Sequence, residues 1–308
     1  MSEKISFVYF GSGPVAAENL RQLREQFSVE AIITKPTTEQ EMRVACPDTP
    51  LYCVASKQEL DTLIEKHRFS SKVGVLIDFG IIVSRRVIDH FEKGIVNSHF
   101  SLLPQWRGAD PITFSILSGQ DRTGVSLMLL VEAMDEGPIL SSGVYELKGD
   151  ETTPQLTDHL IRLSTDLLQN SLPKYMDGSI QPTSQDDVAQ SLAYSASPTY
   201  SRKLTKQDGA IDWTKPAEQL AREIRAFAGW PKSRATLGNV DVILTKAITF
   251  DGYELNTNIG TPVTPDAKTL LVQCGDGSVL SILKLKPAGK NEMDVQAFLA
   301  GYANRLTV

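Results

Sequence analysis

Two rhythms of apolar and polar positions run through the first 150 residues. Short β-branched runs at 5–10, 29–34, 73–79 and 94–100 alternate with stretches whose apolar residues recur at helical spacing. In 14–27 those residues are Val15, Leu20 and Leu23, and Pro14 stands at the first helical position, where its missing N–H costs nothing. Further helices are predicted at 57–68 and 84–91. Such alternation is the pattern of strand, crossover helix, strand in a mostly parallel sheet, so this part of the chain reads as α/β. Residues 123–147 predict two more strands, and Thr153 with Pro154 forms a cap and first-turn pair that opens a helix to about residue 175.

The rhythm then breaks. Residues 177–198 are rich in Ser, Gln, Asp and Pro with few large apolar side chains, and they read as a linker over the surface. A helix is predicted at 217–227, strands at 240–249, 269–274 and 278–286, and a short closing helix at 294–302. Short strands punctuated by glycine and proline predict a small barrel or sandwich. The expected division is therefore 1–178, a linker 179–202, and a second domain 203–308, in line with a length of 308 residues.

Composition narrows the function classes. No apolar run approaches the roughly 18 to 20 residues that span a bilayer, and the first ten residues lack the pattern of a secretory signal, so a cytoplasmic location is expected. Cys46, Cys53 and Cys274 fit neither a zinc knuckle nor a redox pair. The four histidines, His67, His90, His99 and His159, show no helical metal spacing, so no metal is expected. The net charge of −6 argues against indiscriminate nucleic-acid binding, but it is unevenly spread. Residues 203–308 carry 13 basic and 11 acidic side chains, whereas 1–202 carry 18 and 26.

Three stretches hold candidate chemistry. Gly11-Ser12-Gly13-Pro14-Val15-Ala16 has the form of a dinucleotide turn. However, Thr34 and Lys35 stand where an acidic ribose partner belongs, so the turn reads as a tight strand-to-helix connection. The second stretch is 94–108. There Asn97 and His99 lie two apart on a strand, on one face, at the carboxyl end where open sheets place their ligand crevice. The third is the turn Asp135-Glu136-Gly137. Acyl transfer to an amine needs a donor for a developing oxyanion, a second polar group to orient it, and a proton acceptor; Asn97, His99 and Asp135 supply that set without a nucleophilic Ser or Cys.

The motifs Asn97-Ser98-His99, Ser101-Leu102-Leu103-Pro104, Trp106-Arg107-Gly108-Ala109 and Asp135-x-Gly137 together resemble the folate-dependent formyltransferases, and within them those acting on methionyl-tRNA. The likeness continues through Ala210-Ile211-Asp212-Trp213, Ile224-Arg225-Ala226-Phe227, Trp230-Pro231 and Pro287-Ala288-Gly289-Lys290. It implies a Rossmann-like domain followed by a smaller β-barrel (OB-like) domain. It also implies 10-formyl-tetrahydrofolate as formyl donor, charged initiator methionyl-tRNA as acceptor, and a monomer with no obligate protein partner. Asn97, His99 and Asp135 would be catalytic. Ser101, Leu102, Leu103 and Pro104, with Phe79 and Gly80 in the strand-end segment 76–81, would hold the folate. Arg107 either contacts the acceptor or braces its loop. An amino-sugar nucleotide or water remains an alternative acceptor.

One departure stands out. The tRNA enzymes of this family carry a longer, basic, glycine-containing loop after the second strand. Here 35–48 holds Glu39, Glu41 and Asp48 against Lys35 and Arg43, a balance that disfavours phosphate binding.

Overall fold

The computed structural model describes residues 4–194, 197–252 and 255–306. Contacts group the chain into two compact units: Met1–Pro111, Arg122–Glu146 and Thr157–Ser201 in one, Ile112–Asp121, Leu147–Leu156 and Arg202–Val308 in the other. Two short segments inside the expected 1–178 domain, Ile112–Asp121 and Leu147–Leu156, thus belong to the second unit.

In chain order the elements are β1 (Ser6–Gly11), α1 (Gly13–Leu23), β2 (Ser28–Thr34), α2 (Glu39–Ala45), β3 (Leu51–Cys53), α3 (Lys57–Lys66), β4 (Gly74–Ile77) and α4 (Arg85–Asp89). There follow β5 (Ile95–His99), β6 (Arg107–Gly108), α5 (Pro111–Ser118), β7 (Arg122–Leu129), β8 (Ile139–Glu146), α6 (Thr153–Met176), α7 (Gln185–Ser191) and β9 (Tyr200–Ser201). The chain ends with α8 (Ala217–Ala226), β10 (Ser233–Leu237), β11 (Val240–Thr249), β12 (Pro262–Asp266), β13 (Thr269–Gln273), β14 (Val279–Pro287), β15 (Met293–Asp294) and α9 (Val295–Tyr302).

The first unit is Rossmann-like. Its seven-stranded sheet has the order β3-β2-β1-β4-β5-β7-β8, in which β1 to β5 run parallel and β7 and β8 antiparallel. Phe7 to Phe10 on β1 are fully buried, as expected of a central strand covered on both faces. Val8, Phe10, Ile33, Leu60, Val87 and Ile95 form one side of its core. Helix starts follow local capping chemistry: the Ser56 hydroxyl accepts from Glu59 N at 3.2 Å on α3, and that of Ser84 from Val87 N at 3.3 Å on α4.

In the second unit α8 lays Ala217, Leu220 and Ile224 against Val242, Leu244, Leu280 and Ile282. The sheet order is β10-β11-β14-β13-β12, antiparallel throughout, with β15 added on β14. Its terminal strands β10 and β12 are not paired with each other among the described residues, so the ladder does not show the closure expected of an OB-like barrel. The stretch expected to be a linker, 179–202, contains the helix α7, started by the Ser184 hydroxyl accepting from Asp187 N at 3.1 Å. Likewise 35–48 is not a loop: it forms a 3-10 turn and α2, with Glu39 and Arg43 paired at 2.8 Å. Among the described residues no helix is long and apolar enough to cross a membrane.

Candidate active site

The strand order reverses between β1 and β4, which opens a crevice beyond the carboxyl ends of the parallel strands. β5 delivers Asn97 and His99 to that end, each 7% exposed. Register sets Asn97 beside Leu76 of β4 and Met128 of β7, and His99 beside Ser126. Ser98, between them, points the other way and bonds the Ser164 hydroxyl at 2.7 Å. This is the strand alternation on which the two polar residues were paired.

His99 Nε2 lies 2.9 Å from the Trp106 carbonyl oxygen. A carbonyl can only accept, so Nε2 carries a proton and donates it there. The other ring nitrogen, Nδ1, faces Asp135 Oδ1 at 3.8 Å. Asp135 Oδ2 accepts from Gly108 N at 2.7 Å, which joins the turn after β7 to the loop after β5. The three sequence-predicted catalytic residues occupy this end of the first unit, and two of them, His99 and Asp135, stand face to face. Asn97 makes no side-chain hydrogen bond among the described residues, which leaves its carboxamide available to a ligand.

The backbone around them is tightly constrained. Asp78, Trp106, Asp110 and Asp135 all have left-handed φ, between 47° and 58°. Non-glycine residues seldom adopt this conformation, and such residues cluster at functional sites. Gly137 completes the Asp135 turn because a Cβ there would lie 1.7 Å from the Leu129 oxygen. Gly108, with φ 105°, passes so close to Ser201 that a Cβ would meet its oxygen at 2.5 Å.

One supporting residue was not foreseen. Gln185, on α7, donates through Nε2 to the main-chain oxygens of Asp135 at 2.7 Å and Gly137 at 2.9 Å, while its Oε1 accepts from Arg107 Nη2 at 2.8 Å. Arg107 also pairs with Glu136 at 3.0 Å. Of the two roles open to it from sequence, the structure therefore puts its guanidinium to bracing the loop. The only cue in the sequence was Ser184, three residues before Asp187, a capping pattern within a polar stretch.

The residues expected to hold folate divide into two groups. Ser101, Leu102, Leu103 and Pro104 are buried. Leu103 N donates to the Ser126 hydroxyl at 3.0 Å, that hydroxyl donates to the Ser101 oxygen at 2.8 Å, and the Leu103 side chain packs on Met128 and Ile139. Their side chains thus face the interior. Phe79 is buried against Phe10, with ring centroids 5.7 Å apart, whereas Gly80 and Ile82 are exposed. The main-chain N–H groups of 79–83 meet no acceptor among the described residues.

Comparison with known proteins then decides the family. The formyl transferase model matches residues 4–172, and the model of the formyl transferase C-terminal domain matches 203–303. The chain belongs to the formyl transferase family. Among its curated relatives are the methionyl-tRNA formyltransferases of Halorhodospira halophila, 38% identical over 74% of this chain and 70% of that one, and Pseudomonas entomophila, 32% identical over 92% of each. That of Listeria innocua is 28% identical over 97% of this chain and 96% of the relative. Solved structures share the fold. The N-formyltransferase of Helicobacter canadensis with folinic acid and dTDP-3-aminofucose has a TM-score of 0.65 at 16% identity, covering 91% of this chain and 98% of that one. HypX of Aquifex aeolicus in complex with tetrahydrofolic acid has a TM-score of 0.64 at 12% identity, covering 98% of this formyl transferase and 47% of HypX.

Proposed function

We propose that this enzyme transfers the formyl group of 10-formyl-tetrahydrofolate to the amino group of initiator methionyl-tRNA in the cytoplasm, acting as a monomer, with Asn97, His99 and Asp135 as its catalytic residues. The observation that carries the chemistry is the arrangement of His99, with Nε2–H committed to Trp106 and Nδ1 turned to Asp135, next to an uncommitted Asn97. The acceptor rests on relatives named methionyl-tRNA formyltransferase that align over most of the chain.

Asn97 offers the free amide donor for negative charge developing on the formyl oxygen. Nδ1 of His99 takes the proton released as the amine nitrogen bonds to the formyl carbon and the bond to the folate nitrogen breaks; that nitrogen leaves with a proton returned by the same pair. Asp135 orients the imidazole and stabilises its protonated form, which then stands as a cation beside the oxyanion. The unpaired main-chain donors of 79–83 beside exposed Ile82 suit the polar edge and flat face of a pterin ring, and we assign that segment, including Phe79 and Gly80, to the donor. Ser101 to Pro104 would support the donor site from beneath by fixing the loop rather than by side-chain contact.

We assign acceptor binding beyond the reacting amine to the second domain, 203–308, where basic side chains outnumber acidic ones. Its groove of about 590 Å³ is lined by residues of two of its motif segments, among them Trp213 and Pro287, together with the basic Arg234 and Lys286. The acidic first turn of α2 suits no phosphate clamp, which leaves the second domain the larger share. Charged initiator tRNA, an amino-sugar nucleotide and buffer alone, offered in parallel with labelled formyl donor, test the acceptor. Label on the tRNA, with affinity falling steeply as salt rises, is expected; label on the sugar or as free formate would refute it.

A further inference from the structure

We propose that Asp78 is the residue that binds the acceptor's primary amine, a role that rests on the formyl-transfer reading above. Its place in the fold comes first. β1 and β4 flank the point where strand order reverses, and Asp78 directly follows Ile77, the last residue of β4. The register of β4 with β5 sets Leu76 beside Asn97, so two residues further along each chain Asp78 comes level with His99. Its left-handed φ of 47° turns the chain out of the strand there. The Asp78 carbonyl accepts from Ser12 N at 3.2 Å, and its Oδ2 lies 3.9 Å from the point a Cβ on Gly13 would occupy. The carboxylate is therefore directed toward the turn between β1 and α1, across the crevice.

Asp78 is exposed to solvent, and among the described residues its carboxylate accepts no hydrogen bond and forms no ion pair. The protein around it pushes its carboxyl up to about 6; Lys35 opposes this, and Asp110 adds to it. The Lys35 amine stands over Gly80, 2.9 Å from where a Cβ would sit, and acts on Asp78 through its charge without forming an ion pair with it. An exposed anion at the mouth of the crevice, bonded by no protein donor among the described residues and with a second carboxylate nearby, favours a ligand that brings a cation with several N–H groups. The reaction supplies one, because a primary amine arrives largely as ammonium with three donors. Bound to Asp78, its nitrogen would stand at the level of His99, beside the group that removes its proton.

The same carboxylate lies near the N-terminus of α1, where it could simply complement the helix dipole. Steady-state kinetics of the full chain separate the two roles. In Asp78→Asn, KM for charged methionyl-tRNA should rise about tenfold to a hundredfold, the loss expected of a charged hydrogen bond, with kcat and the donor KM changing much less. Inhibition by uncharged initiator tRNA, which lacks the amine, should stay within about twofold, and Asp78→Glu should recover part of the loss. An unchanged acceptor KM, a rise in the donor KM instead, or equal weakening of charged and uncharged tRNA would overturn the proposal. Asp78→Ser serves the same comparison should the Asn variant fold poorly. If the unmodified enzyme formylates no charged tRNA, the parent reading fails; if it does and the variant matches it, only the role of Asp78 fails.

Discussion

Replacing Gln185 by leucine, a side chain of similar size with no polar atoms, probes how the reaction centre is held. Three hydrogen bonds would be lost at once: two to the carbonyls of the Asp135 turn and one from Arg107. Gln185 is only 6% exposed, so water cannot readily replace them. At about 1 kcal/mol net for each bond, the loss comes to about 3 kcal/mol, and the unpaired carbonyls add to it. The kinetic effect follows from geometry. Asp135 faces His99 across 3.8 Å, and a displacement of about 1 Å in a catalytic group typically costs on the order of a hundredfold in rate. Urea unfolding gives the first number, and kcat for formyl transfer at a temperature where the variant remains folded gives the second. A stability change under about 0.5 kcal/mol together with unaltered kcat would refute the claim that α7 clamps the turn.

Asn97→Ala, His99→Ala and Asp135→Ala should each keep a native circular dichroism spectrum and lose about 10² to 10⁴ in kcat; near-normal turnover in any two would remove the mechanism. Gly137→Ala drives a Cβ into the Leu129 carbonyl and should abolish activity while lowering the melting temperature, whereas Gly149→Ala, with open space but φ 86°, should be milder and leave kcat intact. Leu103→Ala, at a fully buried contact with Met128 and Ile139, should cost about 2 to 5 kcal/mol in denaturant unfolding. Asp78 has its folded pKa raised to about 6 from an unfolded value near 3.9, so its contribution to stability is full below the unfolded value and declines as pH rises through 6. Lys35 and Asp110 act on it throughout. Asp78→Asn should therefore melt higher than the unaltered chain at pH 8 and no higher at pH 4.

Much of the first unit was legible because parallel strands buried on both faces leave unbroken apolar runs, and β1, β2, β4 and β5 all fall where such runs occur. Strand alternation alone put Asn97 and His99 on one face. Less visible were elements whose stability is tertiary. β3 is three residues long, and α2 and α7 are single polar helices of seven residues with few buried side chains, so neither periodicity nor composition marks them. Asp135 was joined to His99 by the chemistry the three groups could supply together and by the family resemblance, not by spacing, because the bond that aims it comes from Gly108 N, and no side-chain pattern encodes a main-chain donor. In the second unit the strand runs were clear, but whether their ladder closes depends on register between distant strands, which a one-dimensional pattern does not carry.

The clamp on the Asp135 turn also limits how this enzyme can be recombined. A chimera that joined its Rossmann-like half to a foreign module at residue 178 would retain every strand of the sheet and Asn97, His99 and Asp135. It would discard Gln185 and the β9 strand that lies against Arg107 and Gly108. Domain exchange should therefore preserve chemistry only when the crossover is placed after Ser201, so that the polar tail travels with the half it serves.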